Sequence, residues 1–264
     1  IAPGQHEIDV PLLPALETAD AITTCKYAVK AVARRHGLAA TFMPKPLAEV
    51  AGSGLHLVQV LRASDGRNSF AEPLDEHGLS AVGRSFVAGQ LAHVRAMCAV
   101  LAPSVNSYKR LGRGFDAPSS ITWSHTDPLA AIRVPRTSGR RPTAVSTASP
   151  AGDMYVELRC PDPSCNPYLA LAVSLAAGLD GIRTGAELPA PSEATARTIL
   201  DESQVEVLPG SLAEALQELA WDSDVRDALG AAVFERLLHA REQEWQAFRR
   251  QVSAWEVERY FESA

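Results

Sequence analysis

Between Leu16 and Gly37, apolar Ala21, Cys25, Ala28, Val29, Val32 and Ala33 recur at three- and four-residue spacing, which predicts an amphipathic helix. Thr18 or Asp20 is suited to cap its start and Gly37 to end it. Residues 39–43 (Ala-Ala-Thr-Phe-Met) read as a short strand stopped by Pro44 and Pro46. Gly52-Ser53-Gly54 introduces a second strand from His56 to Leu61, and Arg62 to His77 is polar loop. Ser80 is the N-cap of a long helix to about Leu101, with Val82, Phe86, Val87, Leu91, Val94, Met97, Cys98 and Leu101 facing inward and Pro103 as the stop.

Asn106 to Asp127, with Gly112 and Gly114, reads mostly as loop. Ala130–Val134 and Met154–Arg159 are strand-like, joined by a loop rich in Arg, Ser, Thr, Gly and Pro. Pro167–Leu179 is apolar on nearly every side, as a buried helix is. A polar connection over 185–207 leads to Ser211 and Glu214, a capping-box pair for a helix through Leu219. Two further helices follow, at Asp224–His239 and Glu242–Phe261. The pattern is α+β with an all-helical tail and no repeat.

The balance of 25 basic against 31 acidic residues, a net charge of -6, argues against a general nucleic-acid or anionic-membrane binder. No apolar run is long enough to span a bilayer. Cys25, Cys98, Cys160 and Cys165 are too few and too scattered for a disulfide-stapled fold, so reduced thiols and a cytoplasmic location are expected. The chain opens on Ile1-Ala2-Pro3 without Met or a signal peptide, as if cut from a longer sequence.

Three constellations carry candidate chemistry. On a strand, Glu157 and Arg159 share one face while Val156 and Leu158 share the other. A carboxylate beside a guanidinium suits a site for a cation and an anionic substrate, or a plain cross-strand ion pair. Gly52-Ser53-Gly54 lets backbone approach a ligand beside His56, which is either a metal ligand or a structural histidine. Asn106 to Asp116 is basic and Gly-rich, either a lid over an anion or an exposed turn. Cys160 and Cys165 lack the partners of a zinc site and read as packing residues.

The order of these motifs is more specific than any one of them. Gly4-Gln5-His6-Glu7, residues 40–46 (Ala-Thr-Phe-Met-Pro-Lys-Pro), Gly52-Ser53-Gly54-Leu55-His56, Asn106-Ser107-Tyr108-Lys109-Arg110-Leu111 and residues 157–169 (from Glu-Leu-Arg-Cys to Asn-Pro-Tyr-Leu) together resemble the catalytic domain of the glutamine synthetase family. Residues 176–182 and 255–260 resemble its later blocks, so the resemblance covers essentially the whole chain. It implies a curved antiparallel sheet flanked by helices. Residues 1–264 would be one N-terminally incomplete catalytic domain, with about 208–264 a helical tail and the family's small N-terminal domain lying upstream.

The resemblance further implies an ATP-dependent ligase that phosphorylates the γ-carboxyl of glutamate and lets ammonia or a primary amine displace phosphate. It implies Mg²⁺ or Mn²⁺, two or more per site, and a homo-oligomeric ring whose sites are shared between subunits. Glu7 matches a ligand of the first metal, and His56 and Glu157 match ligands of the second. Gly52, Arg110 and Arg159 match glutamate-binding positions. Arg133 matches a nucleotide-phosphate arginine, Arg159 also reaches the transferred phosphate, and Asp116 stands at the lid acid that deprotonates ammonium.

Several positions depart from the family pattern. Ala51 replaces an Asn, Val58 and Val60 replace a His and a Ser, and Pro128 and Tyr155 replace two arginines of the nucleotide and phosphate site. The alternative expectation is therefore a catalytically inactive family member with a structural or regulatory role, or a truncated gene product.

Overall fold

The computed structural model describes residues 2–112, 117–136, 154–192 and 206–263. One sheet runs in the order β1-β4-β3-β2. Its strands are β1 (Leu57–Gln59), β2 (Ser120–Ser124), β3 (Ala130–Arg133) and β4 (Val156–Leu158). β4 is antiparallel to both β1 and β3. β2 and β3 are parallel, which makes the sheet mixed rather than wholly antiparallel as expected. Parallel neighbours normally need a long crossover. Here the strands are so short, about 13 Å for four steps of about 3.3 Å, that residues 125–129 suffice to bring the chain back.

Register gives the sheet two unlike faces. Leu57, Leu158, Ile132 and Trp123 align across the strands, and all are buried in the main core. The next row is Val58, Glu157, Arg133 and Ser124, and it carries the polar groups. Helix α2 (Ala81–Leu101) lies against β2 and β3 and packs on α3 (Pro167–Thr184). Ser80 caps α2 as expected, accepting from the Gly83 amide at 3.0 Å. α3 starts at an Asn166 cap with Pro167 in the first turn and buries Ala170, Val173 and Ala177. α1 (Ala15–Arg35) is mostly exposed, burying Ala19 and Ile22, and leans on α3. Neither Thr18 nor Asp20 caps it; Pro14 holds the cap position, and the Thr18 hydroxyl donates to the Leu13 carbonyl instead.

After the sheet come α4 (Leu212–Trp221), α5 (Ser223–Leu229), α6 (Ala231–Phe248) and α7 (Ala254–Tyr260). The capping box at Ser211 is half formed: its hydroxyl accepts the Glu214 amide, but Glu214 reaches the Gly210 amide rather than that of Ser211. Three helices stand where two were expected, because Gly230 at φ 70° is left-handed and interrupts the run. Residues 39–43 form no strand; among the described residues no neighbouring chain offers them a ladder. β2, conversely, lies in a stretch expected to be loop. Its Ser120 and Ser124 are buried by the strand that pairs with them.

His93 of α2 ties three helices together. Its Nδ1 is 2.7 Å from Asp222, the N-cap of α5, and its Nε2 is 3.3 Å from Asp180 of α3. Hydrogen bonding to Asp222 outweighs burial and raises the imidazole to about 9, so it is an imidazolium at neutral pH. All four cysteines are free, and three are buried. No described helix is long and apolar enough to cross a membrane.

Candidate functional site

The polar row of the sheet converges on one carboxylate. Glu157 sits mid-strand in β4, with 4% of its side chain exposed, between half-open walls formed by His56 and Arg133, each 38% exposed. Arg133, its partner across β3–β4, donates Nε to Oε2 at 2.8 Å and holds Nη2 at 2.6 Å from the same oxygen as an ion pair. His56 Nδ1 stands 2.9 Å from Oε1, and Arg159 Nε stands 3.6 Å from the same oxygen. Neither approach to Oε1 has hydrogen-bond geometry, and that oxygen is buried with no hydrogen-bond partner among the described residues. Burial works to raise the Glu157 pKa, but His56 and Arg133 outweigh it and hold the carboxyl below its ordinary value.

Arg159 follows β4 and is itself buried. Its amide donates to the Ala131 carbonyl at 2.9 Å and its Nη1 to the Pro128 carbonyl. A position expected to lack a phosphate-binding arginine thus supplies backbone to steady a neighbouring one.

Beneath the site lies Arg110, only 6% exposed. Its Nη1 donates to the carbonyls of Cys160 and Pro161 at 2.9 and 3.1 Å, and its Nη2 to that of Arg159 at 2.9 Å. Burial lowers its pKa, yet a guanidinium keeps its charge at any ordinary pH. The Gly52-Ser53-Gly54 turn passes over this guanidinium at a distance no side chain allows. A Cβ on Gly52 would fall 2.4 Å from the Pro44 carbonyl oxygen, and one on Gly54 would fall 2.5 Å from Arg110 Nη2. The Leu55 amide donates to Pro161 at 2.9 Å. Arg110 therefore joins the turn before His56 to the turn after Glu157.

The structure thus gathers His56, Glu157, Arg133, Arg159, Gly52 and Arg110 in one region. Glu7 is exposed and makes no hydrogen bond or ion pair with His56 or Glu157 among the described residues. Asp116 lies outside the described residues. Val58 is opposite Glu157 on β1 and 37% exposed. Tyr155 is nearly buried; burial first, then the nearby Glu157 charge, raises its phenol pKa and keeps it a neutral donor. Sequence reasoning passed over Gln5, which donates to the Gly52 carbonyl at 2.9 Å and to the Ser53 hydroxyl at 3.1 Å. The only signal was its place beside His6-Glu7.

The donor set at Oε1 fits a hard divalent cation. Two ligand atoms in adjacent octahedral positions, with bonds of about 2.1 Å, stand about 3.0 Å apart. His56 Nδ1 and Glu157 Oε1 are 2.9 Å apart. Arg133 occupies the other oxygen, which leaves the orphaned one for the cation.

Comparisons with known proteins identify the family. A glutamine synthetase from Thermus thermophilus is 45% identical, aligned over 98% of this chain and 56% of its own length. One from Thermotoga maritima is 44% identical, over 98% and 57%. A solved structure described as "GmaS/ADP complex-Conformation 1" superposes with a TM-score of 0.81 at 34% identity, covering 95% of this chain and 55% of that one. A second, "Apo GmaS without ligand", gives 0.80 at 35% identity, covering 94% and 54%. The chain spans little more than half the length of these relatives. The family model for the glutamine synthetase catalytic domain matches residues 1–260, so every residue that builds the sheet and its polar face falls within it, and the chain belongs to that family.

Proposed function

We propose that the protein is an ATP-dependent ligase that joins the γ-carboxyl of glutamate to ammonia or a primary amine by way of γ-glutamyl phosphate. The observation that carries this reading is the buried Glu157 carboxylate, flanked by His56, Arg133 and Arg159 on one strand face of a glutamine synthetase-type domain. Held by His56 and Glu157, with Glu7 serving a second ion, Mg²⁺ or Mn²⁺ would offset negative charge on the ATP phosphates and the acyl phosphate.

The chain's own residues do the rest. Arg133, its side chain 38% exposed, spends Nε and Nη2 on Glu157, which leaves Nη1 for a phosphoryl oxygen. Arg159, fixed by Pro128 and Ala131, sets a guanidinium charge beside Glu157 that favours the substrate carboxylate and the transferred phosphate. Arg110 has an Nε–H and one Nη2–H beyond its three carbonyl contacts, and these face glutamate together with the Gly52 backbone. Asp116 takes a proton from ammonium, and the ammonia so formed attacks the acyl phosphate carbon and displaces phosphate. Val58, Val60, Pro128 and Tyr155 make the nucleotide side less cationic, with the Tyr155 phenol donating where charge is missing. The sites lie between subunits of a homo-oligomeric ring, completed by the rest of the full-length chain.

The test is ADP release by the full-length protein, given ATP, glutamate and either ammonia or a panel of primary amines. The expected result is release that requires both glutamate and an acceptor, with the preferred acceptor giving the highest kcat/KM. No release with any acceptor, in Mg²⁺ or Mn²⁺, overturns the proposal.

A further inference from the structure

Residues 2–13 belong to no helix or strand, so no regular ladder holds the segment that carries Glu7. Among the described residues, residues 2–10 hydrogen-bond to the rest of the chain through Gln5. Its amide nitrogen donates to the Gly52 carbonyl at 2.9 Å and to Ser53 Oγ at 3.1 Å. Its amide oxygen accepts from the Ala2 amide at 3.1 Å, and the Gln5 amide donates back to the Ala2 carbonyl at 3.1 Å. The side chain is thereby fixed at both ends.

The turn it grips is rigid. The Ser53 amide donates to Pro44 at 2.8 Å, the Leu55 amide to Pro161 at 2.9 Å, and Gly52 is pressed between the Pro44 carbonyl and the Arg110 side chain. That turn leads within a few residues to His56, whose Nδ1 faces Glu157. Gln5 and Glu7 are two residues apart, the spacing that puts side chains on one side of an extended chain.

We infer that Gln5 is a positioning residue for the metal centre: it anchors the Glu7 segment to the Gly52–Ser53 turn, so that the ion Glu7 serves is delivered beside the one served by His56 and Glu157. The inference rests on the ligase reading, which supplies the metal. Gln5 touches neither metal nor substrate; it acts through Glu7.

The experiment is calorimetric titration of Mn²⁺ into the full-length protein without substrates, for wild type, Gln5→Met, Glu7→Gln and the double variant, with thermal melts of each in chelator. Met keeps the length of Gln and removes its donors. Gln5→Met is expected to weaken Mn²⁺ binding by about tenfold, as loss of an outer-shell partner typically does, while its melting temperature stays at the wild-type value. In the Glu7→Gln background it should weaken binding no further. Undiminished affinity in Gln5→Met overturns the inference, as does the same further loss without Glu7. A fall in melting temperature matching the fall in affinity also overturns it, since Gln5 would then be merely structural. Absence of Mn²⁺ binding by the wild type overturns the ligase reading itself and the inference with it.

Discussion

The His93 junction predicts a specific dependence of stability on pH. In the folded chain the imidazole is held near 9 by Asp222 and Asp180; in the unfolded chain it returns to about 6.5. A group whose folded pKa is the higher one contributes its full stabilisation below the unfolded pKa and loses it as pH rises through the folded one. The window of loss is therefore about pH 6.5 to 9. With about 1.4 kcal/mol per pH unit, this gap is worth about 3 kcal/mol. The side chain is only 13% exposed, so solvent screening removes little of it. Asp180 and Asp222 are themselves held low, chiefly against burial and by hydrogen bonds from His93. Their share is present above about pH 4 and disappears as the solution becomes more acidic. Thermal melts of the full-length wild type and His93→Gln, run from pH 6 to 9.5, isolate the effect. The wild-type advantage should be largest near pH 6 and shrink by roughly 6–12 °C toward pH 9.5, at about 2–4 °C per kcal/mol. A difference between the two proteins that stays constant across that range would refute the imidazolium.

Two further perturbations separate the faces of the sheet. Glu157→Gln should retain the fold but abolish calorimetric Mn²⁺ binding at that centre. It should also lower kcat/KM for ADP release by at least about a hundredfold, since metal stabilisation of developing charge is worth several kcal/mol. Leu158→Ala, one residue along on the dry face, should cost about 2–5 kcal/mol by urea denaturation. It should leave the Mn²⁺ affinity of the still-folded protein unchanged; a matching loss of affinity would show that the two rows are not independent.

Much of this centre was legible in the residues, and the reasons are local. The alternation Val156-Glu157-Leu158-Arg159 already implied a wet and a dry face, and the strand realises both. The Gly52–His56 turn was legible because two glycines so close together mark backbone contact, although nothing local showed that Arg110 was the group beneath them. β2 was hidden because Ser120 and Ser124 are polar and become strand only through long-range pairing. Residues 39–43 failed in the opposite sense: their strand propensity is real, but a strand needs a neighbour. Family resemblance gave Glu7 a role without a mechanism of delivery, because a glutamine's hydrogen bonds across 47 residues leave no trace in spacing.

Because wet and dry rows alternate by single residues on so short a sheet, slipping β4 by one position would drive the Glu157 carboxylate into the hydrocarbon interior and push Leu158 onto the polar face beside Arg133. Selection for a well-packed protein and selection for a charged centre therefore enforce the same alignment. Val58 and Tyr155 border the centre without belonging to that dry row, so substitutions there leave the shared alignment in place.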